Sequence, residues 1–336
     1  MLIGTIRSLT TSERMKENPL KLKMLTAVAF AALVLGAQTP AIGANYFGRT
    51  SAGSGTTQVP GPSDNDIYDA TAPGSTSSSS AITIVGPTAS MDAASSSFAG
   101  ASPGAAHASA VARARAGNSI PGQASASSSA SSSGDFRDVF ALNAASFAAG
   151  TQVLLTFGVD VHGSFGGDGS IVGGNGPTGG WAVEGFWRAT TFVNANNFVQ
   201  GQSLFRNSNG IVNTTGDGHF GTSLYTVNVL LGLNSVRLLA DASASARVAT
   251  DFSIASTDEA ALVSDLGNAV GWGGIVALRT LDGTAITDFS AVSSSSGFDY
   301  AHAFSQPVPE PETYAMLLAG LGLLGFSARR RRRQPA

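Results

Sequence analysis

Residues able to take part in chemistry are sparse and scattered through the chain. Its four histidines, His107, His162, His219 and His302, are far apart, and none has a second histidine at a spacing that lets two rings share a metal ion. His219 follows Asp217 in a Gly-rich stretch, where a hydrogen-bonded turn is the plainer reading. Asp64, Asp66 and Asp69 alternate like the opening of a calcium loop, but the glycine and the closing glutamate of that loop are missing. Gly166 to Gly169 reads Gly-Gly-Asp-Gly, a pattern that binds calcium only when repeated, and it does not recur. Glu184 falls inside a strand pattern and reads as a solvated residue. The sequence has no Gly-x-Ser-x-Gly elbow, no His-Glu-x-x-His, no Gly-x-x-x-x-Gly-Lys and no cysteine. No catalytic residue, metal site or cofactor is expected.

One constellation at the C-terminus is more specific. Val308-Pro309-Glu310-Pro311-Glu312 is followed by an uncharged apolar run from Tyr314 to Ala328, then by Arg329, Arg330, Arg331, Arg332 and Arg333. As a helix the run is roughly 22 Å long at about 1.5 Å per residue. A bilayer core of about 30 Å normally takes about 20 residues, so this transmembrane helix is short. The arginines snorkel toward headgroups, Tyr314 suits the opposite interface, and the basic cluster holds the C-terminus in the cytoplasm. Prolines at the upper end keep the triplet extended.

The triplet, the short apolar helix and the basic tail, in that order, resemble the PEP-CTERM sorting signal of Gram-negative envelope proteins. A tail of this kind is also described as an ice-binding-protein C-terminal domain. The resemblance covers residues 307–336. It implies an exosortase-type membrane protease as partner, with Pro309, Glu310 and Pro311 as the processing motif and the five arginines as the retention tail. It also implies an inner-membrane-anchored precursor that reaches the cell surface or the extracellular matrix.

The N-terminus carries a matching export element. Lys16, Lys21 and Lys23 precede the apolar run Met24 to Gly36, and small residues follow, suited to cleavage after Ala44. Residues 1–44 therefore read as a signal peptide, with a natural start possible at Met15. Beyond them, nine arginines face eighteen acidic residues up to Pro309, a charge of −9. Such a surface disfavours nucleic acid and anionic headgroups. Export reaches a disulfide-forming compartment, yet no disulfide is possible, so stability must come from packing.

Between these ends the period is two. Ala106, Ala108, Ala110, Ala112, Ala114 and Ala116 alternate with polar residues, as do the Ala/Ser positions from Ala124 to Ser132. Ser235 to Ile254 alternates likewise, with small residues at its centre and large ones at its ends. These segments read as strands whose small faces let a facing sheet come close. Thr151 to His162, Trp181 to Val193 and Thr222 to Leu233 are plainer strands. Ile275 to Leu281 and Thr284 to Val292 flank the hairpin dipeptide Asp282-Gly283. Residues 163–180 and 194–218 read as loops. A short helix is expected near Ser256, where Ser-Thr-Asp-Glu forms a capping box. The sum is an all-β chain. A Gly/Ser/Thr-rich flexible arm spans 45–80, an antiparallel β-sandwich of jelly-roll type spans 81–306, and the sorting signal with its 314–328 helix spans 307–336.

Trp181, Trp187 and Trp272, together with Phe186 and Tyr225, either fill the sandwich core or build a platform for glycan contact, core filling being the default. Phe186 and Trp187 must point to opposite faces of one strand. The expected role is a structural envelope or matrix component associated with exopolysaccharide. The alternative is a carbohydrate-binding module or adhesin, and an enzyme on the same scaffold is disfavoured.

Overall fold

The computed structural model describes residues 43–56, 62–119, 124–172, 179–250 and 255–304. Apart from Gly43 and Ala44, the expected signal peptide lies outside them, as does the sorting tail. The strands in chain order begin with β1 (Asn45–Thr56), β2 (Ser63–Ala70), β3 (Gly74–Val85), β4 (Ala89–Ser102) and β5 (Ala105–Asn118). Then come β6 (Ser125–Ala144), β7 (Gln152–Val161), β8 (Ser164–Val172), β9 (Gly180–Val193) and β10 (Asn196–Asn207). The last are β11 (Val212–Thr215), β12 (Gly221–Leu230), β13 (Gly232–Ala249), β14 (Thr257–Thr280) and β15 (Phe289–Val292). They form two antiparallel sheets. The front sheet runs β11-β10-β9-β13-β6-β1-β2 with β15 beside β6, and the back sheet runs β12-β7-β14-β5-β4-β3 with β8 beside β14. Hairpins β3-β4-β5 and β9-β10-β11 build the flanks in sequence order, whereas a jelly roll is two Greek keys of about eight strands.

The alanine alternation determines how the sheets meet. Ala106, Ala108, Ala110, Ala112, Ala114 and Ala116 of β5 all turn inward and are buried, facing Ala126 and Ala130 of β6 and Ala240 to Ala246 of β13. Sheets usually pack about 10 Å apart. Here Ser128 Oγ donates to the Arg113 carbonyl at 2.7 Å and Ser132 Oγ to the Ser109 carbonyl at 2.9 Å, from one sheet to the other. A hydroxyl one bond beyond Cβ reaches an opposing main chain only if the gap is much narrower than usual. Gly134 sits where an added Cβ would lie 2.2 Å from the His107 carbonyl oxygen. The same device joins Ser95 to Gly53 and Ser97 to Ser51 at 3.0 Å, Ser264 to Phe186 at 2.6 Å, and the hydroxyl pairs Thr50–Ser78 and Ser54–Ser80. Each of these hydroxyls is thereby satisfied, as burial requires. Where β6 leaves the Ala/Ser tract, Phe136, Phe140 and Leu142 open the gap again.

Several expectations are corrected. The described parts of the 45–80 arm, residues 45–56 and 62–80, are not loose. β1 pairs with β6 from Asn45 opposite Arg137 to Thr56 opposite Ala126, and its small residues are what the narrow gap admits. The capping box at Ser256 starts no helix. Ala260, Leu262, Ser264 and Leu266 alternate inward, and pairing of β14 with β5 and β8 overrides the local helix signal. The 163–180 and 194–218 loops contain β8, β10 and β11. After β14 the turn at Asp282-Gly283 forms and the chain returns along β14 as far as Ile286, whose amide donates to the Leu278 carbonyl, before β15 crosses to β6.

Overpacking tests the narrow gap. Ala112→Leu and Ala244→Leu are each expected to cost about 1–3 kcal/mol, read from denaturant midpoints. The exposed Ser127→Leu is expected to stay within about ±0.5 kcal/mol.

Candidate functional site

Close to the C-terminal end of the described residues, the chain is clamped onto one buried carboxylate. Asp138 takes an inward position on β6 between Phe136 and Phe140 and is 3% exposed. The segment after β15 wraps it with hydroxyls. Ser293 and Ser295 donate to Oδ1 at 2.8 Å each, and Ser296 and Tyr300 donate to Oδ2 at 2.5 and 2.9 Å. The Val139 amide adds a fifth donor at 2.8 Å. Among the described residues no ion pair involves this carboxylate, so hydroxyl donors compensate its charge. Burial, and then the Asp138 charge, push the Tyr300 phenol far above its ordinary ionisation range and raise that of Tyr46 as well. Both phenols therefore stay protonated, and Tyr300 stays a donor.

Trp272 locks the same segment from the other side. Its indole N–H donates to the Tyr300 carbonyl at 2.8 Å, and its own carbonyl accepts from the Phe304 amide at 2.6 Å. Its ring stacks on Phe157 at 4.8 Å and meets Tyr300 edge-on at 5.3 Å. Gly104, at φ 76°, lies under the Phe298 ring, where an added Cβ would lie 2.4 Å from Cζ. The start of the domain arrives at the same end. Ala44 is buried just before β1, and the Tyr46 ring lies 5.4 Å from Phe136.

The three tryptophans do not form a platform. Trp187 and Trp272 are 1% and 0% exposed, so no sugar can stack on either. Trp187 lies against Phe220 at 4.9 Å. Trp181 is half-buried, packed near Gly169. Phe186 does point outward, opposite to Trp187, at 39% exposure. The histidines stay separate: His107 bonds the Gly267 carbonyl at 3.0 Å, His302 pairs with Asp299, and His219 approaches Ser223. Burial lowers the His107 pKa, which keeps its ring neutral. Among the described residues no cluster of potential metal ligands is found. Asp64, Asp66 and Asp69 lie on a strand paired with β1, not in a loop.

The clamp leads directly toward the tail. A family model for the PEP-CTERM protein-sorting motif matches residues 307–332. The chain therefore carries a PEP-CTERM sorting motif. The match takes in Pro309, Glu310 and Pro311 and the arginines as far as Arg332. The motif implies a precursor that is exported, anchored in the membrane, processed by an exosortase and displayed at the surface. No curated protein and no solved structure matches this chain. Sequence reasoning missed Asp138, although a carboxylate at an inward position of a β-pattern was a signal that partners had to be found. The Ser293 to Ser296 run supplies them.

Tyr300→Phe removes one hydroxyl bond to a buried charge and is expected to cost about 1.5–3 kcal/mol. Asp138→Asn is expected to cost more, because all four hydroxyls lose a charged acceptor. Denaturant midpoints of both variants check the order.

Proposed function

We propose that this PEP-CTERM protein is a structural component of the cell surface or extracellular matrix, associated with exopolysaccharide, and not an enzyme. The sorting motif at 307–332 carries the reading, because it implies surface display of whatever precedes it. The outer face of the front sheet supports it. Ser203, Phe186, Ser243, Ser131 and Ser51 stand side by side across β10, β9, β13, β6 and β1. Ser51 and Ser131 already share a hydrogen bond of 2.7 Å. Hydroxyls that both donate and accept suit a polysaccharide, whose groups do the same. In this reading the signal peptide is cleaved after Ala44, leaving Asn45 at the start of β1. The exosortase acts close to Pro309–Pro311, and Arg329 to Arg333 hold the short helix in the membrane until then.

Glu310→Ala is expected to leave the chain inserted but unprocessed, accumulating as the longer form in the membrane. Replacing Arg329 to Arg333 with serines is expected to release the unprocessed chain to the periplasm or medium. Intact-mass measurement of envelope and medium fractions reads both outcomes. Normal processing of Glu310→Ala would overturn the assignment of the triplet.

A second reading, a carbohydrate-binding module or adhesin, is favoured by one feature. A trough of about 480 Å3 on that same face is lined by Ser129, Ser131, Ser243, Ser245, Phe186 and Phe205. If the chain holds glycan there, Phe186→Ala is expected to abolish pull-down by exopolysaccharide while leaving the melting curve in place. Unchanged pull-down returns the face to a general hydroxyl surface.

A further inference from the structure

The two sheets end in different ways. The front sheet stops at β2, whose eight residues include Asp64, Asp66 and Asp69, and at β11, only four residues long. Charge and brevity are both devices that keep another strand from adding to an open edge. The back sheet stops at β3 and β12, which are twelve and ten residues long. β3 reads Gly-Ser-Thr-Ser-Ser-Ser-Ser-Ala-Ile-Thr-Ile-Val and β12 reads Gly-Thr-Ser-Leu-Tyr-Thr-Val-Asn-Val-Leu, without a charge or a proline in either. Their outward apolar side chains are bare, with Val85 79% and Leu224 59% exposed. In a domain this acidic, two such segments on opposite margins of one sheet leave it open at both ends.

The margins also match in direction. Every neighbouring pair along β12-β7-β14-β5-β4-β3 is antiparallel. The number of strands on that path is even, so β12 and β3 run in opposite directions. A second copy shifted sideways across the sheet therefore presents its β12 antiparallel to this β3. The pattern of the sheet continues across the junction without a parallel pair. On the β3 margin, the Asp64 carboxylate reaches the Ser79 amide at 3.4 Å, too long for a strong bond and displaceable by an incoming carbonyl. On the other side of the sheet β8 follows β7 along β14, and its Asp168 is neutralised by Arg206 at 3.1 Å.

We propose that β3 of one copy pairs with β12 of the next, so that the back sheet runs on through a row of copies. The pairing is head to tail and does not close on itself, so it builds filaments rather than a dimer. It rests on the structural reading above and gives that reading a partner, a second copy of this chain.

Two exposed positions separate the possibilities. Ala81→Lys charges the β3 margin and Leu224→Lys the β12 margin. The full chain is kept in mild detergent and followed by sedimentation velocity over a wide concentration range, with circular dichroism melting to verify folding. The wild type is expected to form a series of species that lengthens with concentration. Each variant alone is expected to be monomeric. The two mixed in equal amounts are expected to form a heterodimer, because one keeps an open β12 and the other an open β3. A wild type that stays monomeric overturns the proposal. So does a Leu224→Lys variant that dimerises alone, which would mean β3 pairs with itself about a twofold axis, and so does a mixture that stays monomeric. Any of these results, with wild-type chain still retained in the polysaccharide matrix, leaves the structural reading standing. Failure of the wild type to be retained in the matrix removes that reading instead.

Discussion

Much of this molecule depends on the narrow gap between its two sheets. A hydroxyl can bond a carbonyl across the sandwich only where both sheets present side chains no larger than alanine or serine. That requirement explains the alanine alternation of β5, the serines of β6 and the glycine at position 134, whose neighbours leave no space for a Cβ. It also explains why a chain without cysteine forms a stable sandwich from so few large side chains. Hydroxyl bonds take over part of the work that apolar volume does in thicker sandwiches. They also restrict register, since sliding one sheet against the other would leave several buried donors without acceptors at once.

Where the gap widens, the molecule changes character. Phe136, Phe140, Phe157, Trp272 and Tyr300 fill the wide end, and the carboxylate of Asp138 lies among them with its hydroxyl donors. The first described strand and the last described segment both meet there. The region through which the chain passes toward its sorting motif is therefore among the most tightly held in the domain. A protease acting near Pro309–Pro311 would cut beyond a segment already locked by Trp272 and Phe304.

The alternating strands were legible because period two survives even in alanine. Ala106 to Ala116 and Ala240 to Ala246 stand where that period puts them. The sorting motif was legible because its parts are local and ordered along the chain. Residues 45–80 were misread because Gly, Ser and Thr have weak intrinsic preferences, and only the partner strand β6 and the close back sheet give them a conformation. Ser256 to Glu259 carries a true helix-capping pattern, but pairing on both sides of β14 outweighs a local signal worth about 1 kcal/mol. The tryptophans were ambiguous because a ring that fills a core and a ring that stacks on sugar look alike in sequence. Asp138 was missed because its hydroxyl partners lie more than 150 residues away and only the fold brings them together.

A core of alanine and serine also has a thermal consequence. The heat-capacity change of unfolding rises with the apolar area exposed and falls with the polar area exposed. A sandwich held by small side chains and buried hydroxyls exposes less of the first and more of the second than one filled with leucine and phenylalanine. Its curve of stability against temperature should be correspondingly flat. Apolar burial weakens on cooling, so a domain that relies on it less also loses less in the cold.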